Sequence, residues 1–278
     1  MSEHGAETVT VNEPRSGWPG PGLRELWQNR ELLYFLTWRD VKVRYKQTAL
    51  GAAWAILQPV FTMLIFTVVF GRLAKLDSDN VPYPVFAFTA LVPWTFFANA
   101  ITQAAASLTQ NERMITKVYF PRLVLPISAV LGALVDFLLA FVVLVLMMGF
   151  YGIVPTAWVL ALPLFLLLAT TTAFAVGFFL AAVNVRYRDV RYVIPFLVQA
   201  WLFITPVAYS ISLVPREWRF LYGLNPMVGA IEGFRWALIG KAEAPGLVLT
   251  ASVLAALVLL GGGLLTFRRM EDTFSDEV

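Results

Sequence analysis

The chain contains no cysteine, has a single histidine, and carries charge on only 14% of its 278 residues. Without cysteine there is no disulfide framework, no thiolate metal site and no thiol nucleophile. The histidine, His4, lies in a polar N-terminal segment, which excludes a histidine-based metal centre and a Ser-His-Asp triad. We therefore predict no catalytic residue and no metal site in this chain.

A phosphate-binding loop is also missing. The only Gly-Lys pair, Gly240-Lys241, is followed by Ala242, so the Gly-x-x-x-x-Gly-Lys-Ser/Thr pattern does not occur. Asp/Asn-rich metal loops are missing too. We therefore predict that this chain binds no cofactor of its own.

Apolar residues are abundant: 59% of the chain is hydrophobic and the mean hydropathy is +0.70. Soluble domains carry roughly 25% charged residues, so this composition is typical of a membrane protein. Six segments are long and apolar enough to cross a bilayer, which takes about 20 residues. They are residues 51–71, 84–108, 123–150, 157–183, 192–209 and 245–267. The predicted fold is all-α, with six transmembrane helices in a domain of residues 51–269.

The distribution of basic residues predicts the orientation. With six spans, the termini and the segments 112–122 and 184–191 lie on one side, which then holds 15 of the 21 Lys and Arg residues. The positive-inside rule makes that side cytoplasmic. Residues 1–22, which lack the apolar core of a secretory signal, are expected to be a disordered cytoplasmic tail, and residues 270–278 a second tail.

Two regions do not fit simple spans. Residues 23–50 combine apolar positions near helical spacing with interspersed basic residues, which favours an amphipathic helix on the inner leaflet over a solvated helix packed on a partner. Residues 210–244 are too charged to span and too apolar for a free loop. They are predicted to form two short helices broken at Asn225-Pro226, in an outer re-entrant hairpin.

Uncharged polar residues recur within the spans. Thr95, Asn99, Gln103 and Ser107 follow one another at steps of four and share one helix face. They either bond neighbouring helices, at about 0.6 kcal/mol each, or line a conduit for a hydroxyl-rich solute. We favour the conduit for this stripe. The predicted channel lining is Gln58, Thr62, Thr95, Asn99, Gln103, Gln199 and Thr205.

Asp136 is the only ionisable residue inside a predicted span. An intramembrane carboxylate is a functional candidate. A proton relay needs further titratable groups, however, and none accompanies it, so a structural hydrogen-bonding role is favoured. In the outer segment, Glu232 and Arg235 are three apart and can pair on one helix. The aromatic residues there can form an interfacial belt or stack on sugar rings.

A polar segment, NERMITKVYFPRLVLP, separates the second and third spans at residues 111–126. Its helix-compatible part, about 110–119, ends before Pro121, because a residue preceding proline disfavours helical geometry. Glu112 near its start and Lys117 near its end complement the helix dipole. A short helix held by two spans can transmit a rigid push, whereas a plain loop would only fix topology.

Six pieces of the sequence, taken in order, carry a resemblance to a known family: WRDVKVRYKQTALGAAW, LVPWTFF, KVYFPRLVLP, NVRYRDV, TPVAYS and LNPM. Together they resemble the transmembrane subunit of type-two ABC exporters for bacterial surface polysaccharides, the O-antigen and teichoic-acid export permeases. The resemblance covers about residues 30–270, although Ala90 and Thr205 stand where glycine and serine are common.

The resemblance implies a homodimer in the bacterial inner membrane, bound to two separate ATPase subunits that hold ATP and Mg. It implies export of a lipid-linked polysaccharide, with no bond chemistry on this chain. The implied ATPase-coupling residues are Asn111, Glu112, Arg113, Met114, Ile115, Thr116, Lys117 and Tyr119. The implied outer gate is formed by Trp218, Tyr222, Glu232, Arg235 and Trp236.

Two other functions stay open at this point. A related exporter of a drug or lipid is disfavoured by the polar stripe and the aromatic-rich hairpin. A membrane-embedded glycosyltransferase should show an acidic pair or histidines near one membrane face. The acidic residues on the outer side have no obvious pairing; they are Asp77, Asp79, Glu217, Glu232 and Glu243.

Overall fold

A computed structural model describes residues 23–46, 52–187, 189–240, 244, 246–271 and 274. Across these residues every regular element is a helix, which confirms the all-α prediction. The predicted tail 1–22, and six of the nine residues of the predicted tail 270–278, lie outside the described residues. So do residues 47–50 at the end of the predicted interfacial helix.

The described helices follow one another along the chain and are numbered in that order. They are α1 (Leu23–Gln28), α2 (Arg30–Lys46), α3 (Ala52–Phe66), α4 (Tyr83–Gln110), α5 (Glu112–Lys117), α6 (Val124–Phe150), α7 (Leu162–Arg186), α8 (Val190–Ile204), α9 (Arg216–Tyr222), α10 (Pro226–Ile239) and α11 (Gly246–Met270). A π-helical stretch, Thr67–Leu73, extends α3, and a 3-10 turn, Ala157–Ala161, leads into α7.

Within the described part of the chain, five helical segments are long and apolar enough to cross a membrane. They are Ala53–Leu73, Tyr83–Gln110, Val124–Phe150, Ala157–Arg186 and Gly246–Met270. The fifth predicted span, 192–209, is shorter than expected, because α8 has only 15 residues. Thr205 precedes Pro206 and adopts an extended conformation (φ −97°, ψ 141°), so the helix ends at Ile204.

Helix α4 occupies the centre of the bundle. Nineteen of its 28 residues are buried, and it packs against α3, α6, α7 and α10. Small side chains permit these close approaches: a Cβ added at Gly177 of α7 would lie only 2.9 Å from the Cβ of Ala104. Helix α8, by contrast, buries only Ile194. Helix α4 is thus largely enclosed by its neighbours, whereas α8 leaves most of its surface exposed within this chain.

The predicted interfacial helix forms as α1 and α2. The two are separated only at Asn29, where backbone hydrogen bonds to Glu25 and from Leu33 continue across the junction. Leu36 and Val41 of α2 are buried, and α2 packs against α6. Four aromatic side chains of this region are exposed, namely Trp27, Tyr34, Phe35 and Trp38, whereas the Tyr45 hydroxyl donates a hydrogen bond to Asp136 of α6.

Candidate functional site

The short helix α5 lies between α4 and α6, within the segment for which sequence predicted a helix. Asn111 begins it by accepting backbone hydrogen bonds from Met114 and Ile115 at 2.9 and 3.1 Å. The Asn111 side chain is held as well: its Oδ1 accepts from Arg39 of α2 at 3.0 Å, and its Nδ2 donates to the Ser107 carbonyl at 2.8 Å. The start of α5 is therefore tied to both α2 and α4.

Helix α5 has one anchored face and one exposed face. Ile115 is buried in an apolar cluster that includes Leu36, Leu108 and Phe267, and Met114 packs against the same cluster. Glu112, Arg113, Thr116 and Lys117 are exposed, and Tyr119, just after the helix, is 84% exposed. Of the eight predicted coupling residues, three therefore fix α5 to the bundle, namely Asn111, Met114 and Ile115. The other five are exposed.

The C-terminal end of α11 reaches the segment after α5. The Arg122 guanidinium donates to the Glu271 carbonyl, and the Arg122 backbone N–H lies 3.3 Å from a Glu271 carboxylate oxygen. That carboxylate also pairs with the buried Arg268 at 2.6 Å. Phe274 is buried against Phe267, with ring centroids 5.2 Å apart. Sequence reasoning missed this contact, because residues 149 positions apart leave no local pattern.

Asp136 joins three elements on the side of the bundle covered by α2. Its carboxylate accepts from the Arg44 guanidinium and from the Tyr45 hydroxyl, both on α2. The same guanidinium donates to the side-chain carbonyl of Gln103 on α4. We call these four residues the ionic latch. Burial raises the pKa of the Tyr45 hydroxyl, and the hydrogen bond to Asp136 raises it further. Sequence reasoning singled out Asp136 and Gln103 but missed their partners on α2.

The predicted channel residues are found in several different environments. Thr95, Asn99 and Gln103 of α4 are half-buried, whereas the Ser107 hydroxyl is buried and donates to the Ala104 carbonyl of its own helix at 2.7 Å. Gln58 on α3 and Gln199 on α8 are exposed. The Thr62 hydroxyl donates to the Gln58 carbonyl at 3.0 Å. Helix α4 thus carries the only continuous polar face among these residues.

Thr205 belongs to a different group. Its hydroxyl donates to the Trp201 carbonyl at 2.8 Å and accepts from Asn225 Nδ2 at 2.9 Å. The Asn225 side-chain oxygen accepts from the Trp201 indole N–H at 3.0 Å and from the Met227 backbone at 3.1 Å, which begins α10. These bonds fix the break between α9 and α10 against the end of α8. Sequence reasoning placed the break correctly but missed the indole.

Arg235 and Glu232 lie inside the protein rather than at its surface. Arg235 is only 1% exposed, pairs with Glu232 at 2.9 Å, and lies 3.7 Å above the ring of Phe86. Its guanidinium also donates to the carbonyls of Pro206, Val207 and Tyr209, at 2.7, 2.8 and 3.2 Å. The pair therefore holds the bend that follows α8.

The aromatic residues of the predicted gate are not gathered in one cluster. Trp218 is 59% exposed on α9. The Tyr222 hydroxyl is hydrogen-bonded to that of Tyr209, and burial together with this bond raises the pKa of Tyr222. Trp236 packs on Trp158, with ring centroids 4.7 Å apart. Of these three aromatic side chains, only that of Trp218 is largely exposed.

Comparison with known proteins gives a consistent result over most of the chain. Residues 31–239 match the ABC-2 type transporter family. The chain is 31% identical to the O-antigen export system permease protein RfbA of Myxococcus xanthus, over 92% of this chain and 98% of that protein. It is 30% identical to the Klebsiella pneumoniae protein of the same name, over 74% and 79%. It is 26% identical to the polysialic acid transport protein KpsM of Escherichia coli, over 84% and 91%.

The matched region runs from the second residue of α2 to the end of α10. It therefore includes the ionic latch, the buried α4, the anchored α5 and the bend held by Arg235. A match of this extent, on an all-helical chain with five long apolar helices, assigns the family. The chain belongs to the ABC-2 type transporter family of membrane permeases.

Proposed function

We propose that this chain is the permease subunit of an ATP-driven exporter that moves a lipid-linked polysaccharide across the bacterial inner membrane, from the cytosolic to the outer face. The observation that carries the proposal is the similarity along 92% of the chain to a protein named as an O-antigen export permease. The polysaccharide is O-antigen-like or teichoic-acid-like.

The proposed topology has six spans with both termini cytoplasmic, and α8 is the fifth span. Fifteen residues of helix are about 22 Å long, less than the roughly 30 Å of the hydrocarbon core. The bend at residues 206–209 must then lie at membrane depth, where backbone carbonyls need partners within the protein. Arg235 supplies them for three residues. This contact supports a re-entrant hairpin formed by α9 and α10.

The proposed assembly is a homodimer with the translocation path between the two copies. Helix α8 buries only Ile194 within the chain, so most of its surface is available to a second copy. Gln58 on α3 and Gln199 on α8 are exposed, although an amide side chain facing lipid would be costly. A partner copy that covers α3 and α8 would turn both amides toward a shared polar path.

The proposed partner at the cytoplasmic face is a separate ATPase subunit, which binds ATP and Mg. Helix α5 is suited to receive its motion, because Ile115 and Asn111 fix the helix to the bundle while its charged face remains open. Motion of the ATPase against that face would pass to α4 and α6 without being absorbed by a flexible loop.

The proposal is tested by complementation. A bacterial strain that lacks its O-antigen export permease, but keeps the glycan synthesis enzymes, receives this chain together with its genomic ATPase partner. Surface glycan should appear when both proteins are expressed together, and it should be absent when either protein is expressed alone. Lipid-linked glycan that stays in the cytosolic leaflet, despite membrane insertion and assembly of both proteins, would refute the export function. A matched control expresses the chain with a partner ATPase whose phosphate loop is inactivated.

A further inference from the structure

A cavity of about 540 Å³ lies between α2, α4 and α6, beside the start of α5. Its volume falls in the range of about 300–1,000 Å³ that is usual for small-ligand sites. Seven of its nine lining residues carry polar groups at their side-chain ends, and only Val43 and Ala129 are apolar. The polar lining residues are Arg39, Asp40, Arg44, Gln103, Ser107, Gln110 and Asn111.

One wall of the cavity continues the polar face of α4. Gln103, Ser107 and Asn111 are four residues apart in succession and share that face, and Gln110 adds a second amide at the helix end. Side-chain amides offer both donors and acceptors, which suits hydroxyl groups that need both. The cavity therefore opens onto the cytoplasmic end of the stripe that begins at Thr95.

The charges around the cavity compensate one another. Arg39 pairs with Asp40 at 2.8 Å, and Arg44 pairs with Asp136 just beyond the wall. An anionic ligand would have to compete with a carboxylate for either guanidinium, and desolvating a charge without a new partner is costly. A neutral, hydroxyl-rich ligand can bond to the amides and the hydroxyl while both ion pairs stay intact.

Arg44 lines the cavity beside Gln103. Its guanidinium bridges Asp136 on α6 and Gln103 on α4. A ligand that bonds to the side-chain oxygen of Gln103 would replace Arg44 there and leave the Arg44–Asp136 pair in place. Occupation of the cavity is thereby linked to the position of α2.

We propose that this cavity binds a neutral stretch of hexose units of the exported polysaccharide, at the cytoplasmic end of its path. The inference rests on the proposed export function. The site accepts uncharged sugar rather than phosphate or an anionic sugar.

The chain's natural lack of cysteine provides a direct test. Gln110→Cys places a single thiol in the cavity wall, and Thr109→Cys places a matched thiol on the neighbouring exposed residue, which does not line the cavity. Each variant is assembled with the partner ATPase in lipid nanodiscs. The rate at which a methanethiosulfonate reagent labels this chain is measured with maltotetraose, with a sialic acid tetramer, and without sugar.

Maltotetraose should slow labelling at Gln110→Cys by about tenfold, a change of about 1.4 kcal/mol, and leave Thr109→Cys unchanged. The sialic acid tetramer should protect neither position. Equal labelling of Gln110→Cys with and without maltotetraose, or protection of both thiols, would overturn the sugar site. Protection of Gln110→Cys by the sialic acid tetramer would overturn its restriction to neutral sugar.

Cell-based export separates this inference from the function on which it rests. If the wild-type chain restores surface glycan but maltotetraose gives no protection, the cavity proposal fails and the export function stands. If maltotetraose protects the thiol but the wild-type chain exports no glycan, the cavity binds sugar and the export function fails. Gln110→Leu should lower export, whereas Thr109→Val should not.

Discussion

Removing the Asp136 carboxylate should destabilise the bundle, because this side chain joins α6 to α2. It accepts two hydrogen bonds, from Arg44 and from Tyr45. Hydrogen bonds to charged groups contribute about 1.5–3 kcal/mol each, so two of them set an upper range of about 3–6 kcal/mol. The Arg44 side chain is 29% exposed and can regain water, whereas Asp136 is 11% exposed. We therefore expect Asp136→Ala to cost about 3 kcal/mol, the lower end of that range.

A change of this size is measurable by thermal unfolding of the purified protein in lipid-containing detergent. At about 2–4 °C per kcal/mol for a chain of this size class, Tm should fall by about 6–12 °C. Asp40→Ala is the matched control, because Asp40 pairs with its neighbour Arg39 and both side chains are about a third exposed. An exposed pair contributes about 0–1 kcal/mol, so its loss should shift Tm by only a few degrees.

The double variant Arg44→Met/Asp136→Leu separates the ion pair from the packing around it. Each single change leaves one charge without its partner, whereas the double change removes both charges and keeps the volume. The double variant should therefore be more stable than either Asp136→Leu or Arg44→Met alone. Additive losses, or an Asp136→Ala protein that unfolds at the wild-type temperature, would show that the ionic latch does not hold α2.

Three further predictions concern other parts of the chain, and a fourth concerns Tyr45 of the ionic latch. Insertion of Gly-Gly after Met114 should leave the complex assembled but uncouple ATP hydrolysis from glycan export, because α5 is then no longer a rigid extension of α4. Wild-type export from this variant would exclude force transmission through α5. The purified chain alone should hydrolyse no ATP, and robust hydrolysis in a preparation free of any ATPase would refute the subunit assignment. Three aromatic residues of the predicted outer gate can be replaced together by alanine, namely Trp218, Tyr222 and Trp236. This change should lower export more than it lowers subunit assembly. Undiminished surface glycan would show that the hairpin has only a structural role. Burial and the hydrogen bond to Asp136 raise the pKa of Tyr45, and the resulting stabilisation is fully present below the unfolded pKa of about 10 and is lost as pH rises from there toward the folded pKa. The Tm advantage of the wild type over Tyr45→Phe should therefore shrink above about pH 10, and a constant difference would contradict the burial and hydrogen bonding of this hydroxyl.

Local patterns in the sequence were sufficient for the helical architecture and for several helix ends. Long uncharged runs predicted the five long apolar helices within a few residues. The Asn225-Pro226 break followed from proline's fixed φ and the capping ability of asparagine. The short helix after α4 followed from the position of Pro121 and the charges around it. Helices and their breaks depend mainly on residues within a few positions of one another, and such dependence is visible in a sequence.

Hydropathy alone predicts that the fifth span runs to residue 209. The Thr205-Pro206 pair within that range points to an earlier helix end, because a residue before proline disfavours helical geometry. The structure ends α8 at Ile204 and uses Arg235, 26 to 29 residues later, to satisfy the carbonyls of the bend. Hydropathy measures transfer into lipid, and it carries no information about which side chain completes an irregular backbone.

What the sequence by itself determined is the class of protein and the composition of its helices. A chain that is 59% hydrophobic and only 14% charged, with several long uncharged runs, has few alternatives to a helical membrane protein. Only the tertiary structure decided that Asp136 meets Arg44 and Tyr45 about 90 residues earlier, and that Ile115, rather than the charges around it, fixes α5. Only the tertiary structure decided, too, that Arg235 is internal. These outcomes depend on which helix faces become neighbours, and that is a property of the packed bundle rather than of any one segment.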